Sequence, residues 1–317
     1  MVQTNADDDV VGTAENPYGV AIKECHDNHK DLQRLYEEHR TRRNGQQAQA
    51  FLAPDFGGLV VDEHLLRLER PLVEPGFRDE RHCLVIWARP PSHVLRLAEK
   101  LQSMIRKAAP HVWLMPTYRM HLTAIEIAFA KTPAEIASLV SALRPALPTV
   151  TSYTHGHRSR LVKPLLSYDR AAFALSFLPA AGERILSPAT SSTALADAPT
   201  APWPPQADAY TYHHLRRDLF DLVRGAGLDV VSRYQVPSAH ITLGRFLDES
   251  DHDTAEKRRL WTKTMDDIND WLRQEVWDRP EAEYVGEWLV GQERGLDARD
   301  GTLWYGGGRT IMMGEGF

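Results

Sequence analysis

Apolar and polar positions follow two different periods along the chain, and the period changes repeatedly between residues 82 and 277. Short apolar runs rich in β-branched residues are typical of buried strands. Such runs occur at 83–88, directly after His121, at 171–179 and directly after His240. Apolar residues at helical spacing predict helices between these runs. The helical segments are 92–109, about 133–143, 210–224 and one that follows the capping residues Asp253 and Glu256 and ends near Val276.

The order strand, helix, strand, helix therefore occurs twice, first at about 82–147 and again at about 171–277. From Leu84 to His121 the chain runs 37 residues, whereas from Phe173 to His240 it runs 67 residues. The segment 180–208, rich in Pro, Ala, Ser and Thr, is close in length to this difference. We expect it to be a mobile insert in the second of two duplicated α+β lobes.

The flanking segments have their own patterns. Residues 1–17 are acidic and polar and are expected to be a disordered tail, and 18–80 form an N-terminal extension with one or two surface helices at 18–48. We expect the region 148–170 to supply extra strands, with a hairpin turn at 167–170. The C-terminal segment 278–317 predicts one more β-hairpin, packed on the same domain.

Composition narrows the class of protein. Apolar content of 43% and charged content of 25% are ordinary for a globular protein, and no apolar run approaches a membrane helix. The N-terminus lacks the pattern of a secretory signal, and the two cysteines fit a reducing cytoplasm or nucleus. A net charge of −6 argues against coating long duplex nucleic acid, although a small nucleotide or an RNA end needs only one or two local cations. We expect a monomer.

Two tripeptides carry the candidate chemistry, His121-Leu122-Thr123 and His240-Ile241-Thr242. Because a strand alternates faces with a period of two, each His and the Thr two residues later project from the same side. Two such strands side by side would place two imidazoles and two hydroxyls around one small volume. That set supplies a general acid, a general base and two hydrogen-bond donors, enough to cleave a phosphodiester without a metal.

The same spacing also occurs at His157-Arg158-Ser159 and His252-Asp253-Thr254, but in polar or acidic stretches without a strand pattern. We therefore do not assign these two histidines to the site.

Paired His-apolar-Thr strands in two repeated α/β lobes resemble the 2H phosphoesterase superfamily, which includes 2′-5′ RNA ligase-like proteins and cyclic nucleotide phosphodiesterases. The resemblance covers about residues 82–277. It implies a bilobal fold with two antiparallel sheets around a central cleft and one motif on each sheet. It further implies that His121, Thr123, His240 and Thr242 are catalytic, and that neither a metal nor another cofactor is required. The N-terminal extension and the insert depart from the family pattern.

By this resemblance we expect hydrolysis of a 2′,3′-cyclic phosphate or related phosphodiester in small nucleotides or RNA ends. We favour His240 as the base and His121 as the acid. Several further residues are candidates to bind substrate. Arg119 and Ser238 share strand parity with the histidines, Arg245 does so only if a bulge intervenes near Gly244, Lys163 lies in a basic stretch, and Tyr118 and Tyr168 could stack a base.

Two alternatives remain open from the sequence. One is a nucleotide- or RNA-binding module that has kept the cleft and lost turnover. The other is a metal-dependent hydrolase that uses His121, His240 and a nearby carboxylate.

Overall fold

The computed structural model describes residues 15–186, 207–231 and 235–317. Most of the predicted tail at 1–17 and of the predicted insert at 180–208 lies outside these described residues. Within the same ranges, none of the helices has the length and apolar character needed to cross a membrane.

The described residues form a mixed α/β fold with nine α-helices and a curled antiparallel sheet. The helices are α1 (Pro17–Glu24), α2 (His29–Leu52), α3 (Glu63–Glu69), α4 (Ser92–Ala108), α5 (Pro133–Leu143), α6 (Leu147–Thr151), α7 (Tyr153–Gly156), α8 (Tyr212–Gly225) and α9 (Ala255–Glu275). The strands are β1 (His82–Ala88), β2 (Trp113–Leu114), β3 (Leu122–Lys131), β4 (Arg160–Tyr168), β5 (Ala172–Pro179), β6 (Ala239–Arg245), β7 (Trp288–Leu289), β8 (Leu296–Gly301) and β9 (Arg309–Met313).

The strand order is β7-β4-β5-β6-β3-β1-β8-β9, with β2 beside β6. The sequence predicted two separate sheets, and the structure corrects this to one sheet. The two halves join because Leu122 of β3 pairs with Ile241 of β6. Near the C-terminus β8 and β9 pair as an antiparallel hairpin, and β8 extends the sheet by pairing along β1.

Local sequence signals explain where the helices begin. Thr132 and Glu135 form the capping box predicted for α5, with Pro133 in the first helical position. For α9 the predicted cap at Asp253 is wrong by one residue. The Thr254 side chain accepts the hydrogen bond from the Lys257 amide and begins the helix.

The N-terminal helices α1 and α2 contribute to the main core. Their side chains Tyr18, Leu32, Tyr36 and Phe51 are almost fully buried, and Tyr18, Tyr36 and Phe51 share one hydrophobic cluster with the sheet. The helices themselves lie where the sequence predicted helices, but they are not merely surface elements. Burial of their large side chains is a major favourable term in their folding.

Alternate side chains of β1 point to opposite faces of the sheet. Leu84 and Ile86 belong to the main core, which the helices share. Val85 and Trp87 point to the opposite face, where they pack against Leu303 from the turn between β8 and β9. This second face, called the cleft face below, carries both candidate histidines.

Candidate active site

The pairing of Leu122 with Ile241 fixes the relative positions of the two motifs. Both of these side chains are buried in the main core, so the residues on either side of each one project to the cleft face. Antiparallel register then sets His121 opposite Thr242 and Thr123 opposite His240. In such a ladder directly opposite Cβ atoms are about 5 Å apart and diagonal neighbours about 7–8 Å, so the two imidazoles lie diagonally across one small patch.

An irregularity in β3 brings a carboxylate to the same face. Thr123 pairs with Trp87, but Glu126 pairs with Val85, so β3 uses one extra residue between these two pairs. Strict alternation from Thr123 would have pointed Glu126 to the opposite face. The bulge reverses the parity, and Glu126 lines the cavity beside Thr123.

A second bulge, in β6, decides the position of Arg245. Thr242 pairs with Ala174 and Gly244 with Phe173, which leaves Leu243 as the extra residue. The conditional prediction of a bulge near Gly244 is therefore confirmed, and Arg245 lines the cavity with Thr242. Its guanidinium also forms an ion pair with Asp62, with NH1 and Oδ2 3.2 Å apart.

The cavity on the cleft face is narrow, with about 40 Å³ of free space, room for only a few water molecules. Its polar walls come from β3 and β6, and its apolar walls from β1 and the turn after β8. The lining includes His121, Thr123, Glu126, Thr242, Arg245, Trp87 and Trp304. Among the described residues, no three His, Cys, Asp or Glu side chains gather in a group that could hold a metal ion.

His121 is held from two sides. Its Nδ1 donates a hydrogen bond to the Arg119 carbonyl over 2.8 Å, which leaves Nε2 as the atom able to accept or deliver a proton. The imidazole also stacks on Trp87, with ring centroids 3.6 Å apart and planes inclined by 14°. Burial lowers the pKa of His121 to about 3, and the positive charges of Arg89, Arg299 and Arg245 act in the same direction.

His240 lies diagonally opposite His121 on the same patch but is not among the residues that line the cavity. Its Nδ1 lies 2.9 Å from the Ser238 hydroxyl, so Ser238, a predicted binding residue, contacts the histidine itself. Burial lowers the pKa of His240 to about 3, and Arg216 and His121 lower it further. A proton on His121 therefore disfavours a proton on His240.

Arg119 and Tyr118 lie next to the site, but not as strand parity predicted. Both belong to a single 3₁₀ turn at Thr117–Arg119, ahead of the strand. Arg119 contributes its carbonyl to His121, while its guanidinium lies over the Tyr118 ring at 5.4 Å. Tyr118 is 75% exposed and remains available to a ligand.

Two other predicted binding residues lie away from the cavity. Lys163 on β4 forms an ion pair with Glu183 at 2.8 Å. Its ammonium group is therefore already paired with a carboxylate. Tyr168 is buried in the main core, in edge contact with Phe51 and Trp261. Neither residue lines the cavity, because Lys163 is paired with Glu183 and Tyr168 packs in the main core against α2 and α9.

The two histidines excluded at the sequence level are indeed apart from the cavity. His157 is exposed and stacks on Tyr153 with centroids 4.0 Å apart. His252 is buried among Phe51, Phe246 and Trp261.

Sequence reasoning missed Trp87, Glu126 and the ion pair between Arg89 and Asp297, whose Nε and Oδ2 atoms are 2.9 Å apart. Trp87 lay inside the apolar run 83–88 and gave no polar signal. Glu126 was hidden by the bulge. Asp297 could have been suspected only because a carboxylate within a strand pattern is unusual.

Comparison of the chain with protein-family models and with curated proteins gave no match. The residues and their geometry are therefore what supports a function.

Proposed function

We propose that the protein is a phosphodiesterase that hydrolyses 2′,3′-cyclic phosphates or related phosphodiester bonds in small nucleotides or RNA ends, using His121 and His240 as an acid–base pair. The supporting observation is the register of β3 and β6. It sets two imidazoles and two threonine hydroxyls on one face around the pair Leu122–Ile241.

The chemistry needs one histidine neutral and the other protonated. A water oxygen attacks phosphorus while the neutral imidazole takes the water proton. The bond from phosphorus to the ribose oxygen breaks, and the imidazolium gives its proton to that oxygen. Thr123 and Thr242 donate hydrogen bonds to the non-bridging oxygens, where negative charge increases in the transition state.

The electrostatics of the site fit this scheme once the substrate charge is included. The lowered pKa of each histidine means that both are neutral near pH 7 without substrate. A bound phosphodiester brings a negative charge between them, which favours protonation of one imidazole. Arg245, in the cavity wall, supplies a guanidinium to this surface, and Asp62 offsets part of its charge.

We further infer that the sheet arose by duplication. Strand β1, helix α4, strand β3 and helix α5 follow the same order as β5, α8, β6 and α9. Each motif lies on the innermost strand of its half, and the halves meet at the motifs.

The test is turnover of 2′,3′-cyclic nucleotides and of oligonucleotides ending in a cyclic phosphate, assayed in EDTA with the full chain. His121→Ala and His240→Ala should each lose at least ~10²-fold in kcat/KM, the typical contribution of one proton transfer. His157→Ala is the matched control, because this histidine has the same spacing to a hydroxyl residue but is exposed and outside the cavity.

Three results would contradict the proposal. Binding without turnover in the wild type would favour a nucleotide-binding module. Activity that is abolished by EDTA and restored by a divalent cation would favour a metal-dependent hydrolase. Full activity in either histidine variant would remove that histidine from the site.

A further inference from the structure

The face-to-face stack of Trp87 on His121 is the closest ring contact in the described part of the chain, at 3.6 Å between centroids. Trp87 is 1% exposed and extends from β1 onto the cleft face. Two guanidinium groups also lie against the indole, those of Arg89 and Arg299, each 4.9 Å from the ring centroid. The indole therefore contacts both His121 and a cluster of two arginines.

This cluster also anchors the backbone that leads into the motif. Arg89 NH1 donates to the Met120 carbonyl over 3.3 Å, and its Nε donates to the fully buried Asp297. The neighbouring carbonyl, that of Arg119, accepts from His121 Nδ1. The imidazole is thus fixed by a hydrogen bond at one edge and by an aromatic plane on its face.

An aromatic face interacts more strongly with an imidazolium than with a neutral imidazole, because the ring quadrupole attracts a cation. We propose that Trp87 is the positioning residue of His121 and that its ring stabilises the protonated state of that imidazole. The proposal rests on the proposed function only for its effect on turnover. The contact itself can be tested without any substrate.

The titratable groups that face His121 come from several elements around it. The cations are Arg89 just after β1, Arg245 from β6 and Arg299 from β8, the carboxylates are Glu126 from β3 and Asp297 from β8, and His240 of β6 is the other imidazole. The three arginines lower the pKa of His121, in addition to burial. The indole acts in the opposite direction and needs no counter-charge, which keeps the half-buried His121 able to gain a proton when substrate binds.

The experiment compares Trp87→Leu, Trp87→Phe and wild type by NMR titration of isotope-labelled histidines in the full chain with inorganic phosphate bound, because the anion should raise the pKa of His121 into the range where the protein stays folded. Trp87→Leu should lower the pKa of His121 by roughly 0.5 to 1 unit and remove the ring-current shift of its imidazole protons. Trp87→Phe, which keeps an aromatic face, should recover most of both effects. Trp271→Leu, a tryptophan variant outside the cavity, should change neither.

The kinetic arm uses a cyclic nucleotide substrate. In Trp87→Leu we expect kcat to fall about 10- to 100-fold with KM nearly unchanged, because the imidazole loses its orientation. The limb of the pH profile governed by His121 should move to lower pH. Arg89→Met is the opposite control, because loss of a cation beside His121 should move the same limb to higher pH.

An unchanged His121 pKa and unchanged ring-current shifts in folded Trp87→Leu would overturn the inference. A pKa that falls equally in Trp87→Phe would also overturn it, since lost packing rather than the aromatic face would then be the cause. Absence of turnover in the wild type would instead count against the proposed function, while the NMR arm would still decide the role of Trp87.

Discussion

Leu122 of β3 and Ile241 of β6 face each other where the two halves of the sheet join, and the His and Thr of each motif lie on either side of this pair. Both apolar side chains are directed into the main core, with exposures of 1% and 0%. Core packing on one face of the sheet therefore fixes the polar geometry on the other face.

Thr242 provides a direct test of the hydroxyl groups. Thr242→Val keeps the shape and the β-branched side chain but removes the donor to a phosphoryl oxygen, so kcat should fall by ~10²–10³-fold. Thr242→Ser retains the hydroxyl and should keep most of the activity. The measurement is steady-state kinetics on a cyclic nucleotide. A valine variant as active as the serine variant would exclude Thr242 from transition-state binding.

Gly244 provides a test of the β6 bulge. A Cβ at this position would clash with Cζ of Phe173 and with the Trp113 carbonyl oxygen. Gly244→Ala should therefore lower the free energy of unfolding by about 3 kcal/mol and reduce activity, because Arg245 is displaced. Gly225→Ala at the end of α8 is the control, since a Cβ there meets nothing within 4 Å. Equal urea midpoints for the two variants would contradict the close packing of Phe173 and Trp113 against Gly244.

His252 should make the protein sensitive to acid. Neither ring nitrogen of this buried side chain has a hydrogen-bond partner, and burial lowers its pKa from 6.5 to about 4. Because the folded state resists protonation, stability is fully present above pH 6.5 and falls as the pH decreases towards 4. One such histidine contributes a loss of about 1.4 kcal/mol per pH unit in this range.

His252→Leu removes that titration and also an unsatisfied polar group. The variant should be more stable than wild type at pH 7.5 by about 1–2 kcal/mol, and the difference should grow at pH 5. Urea unfolding at the two pH values measures both effects. A difference that does not grow on acidification would show that His252 titrates normally in the folded protein.

Arg160 is the centre of a buried ion-pair cluster. Its guanidinium contacts Asp208 and Glu287, and all three side chains are at most 5% exposed. Arg160→Met would leave two buried carboxylates without their cation, so we expect a loss of about 3–5 kcal/mol in the free energy of unfolding.

Lys263→Met is the matched control for Arg160→Met. It breaks an exposed ion pair with Asp267 and should leave stability nearly unchanged. Comparable losses in thermal or urea unfolding for both variants would contradict the structural role assigned to Arg160.

The sequence alone determined the order of the elements around the site. Periodicity located β1, α4, the strand after His121, α5, β5, α8 and the strand after His240, because binary patterning records which face each element buries. It also singled out His121 and His240 from four similar tripeptides, since only these two are followed by apolar-Thr-apolar runs.

The tertiary structure decided what alternation cannot encode. The bulges in β3 and β6 reverse side-chain parity, which brings Glu126 and Arg245 to the cleft face, and such irregularities depend on contacts such as Phe173 under Gly244. In the sequence Trp87 has the pattern of a core aromatic residue, and only the pairing of β1 with β3 brings its ring against His121. A local pattern predicts the face on which a residue lies only while the strand is regular. The packing of distant segments determines where bulges occur and which residues share a face, because those contacts join positions that are far apart in the chain.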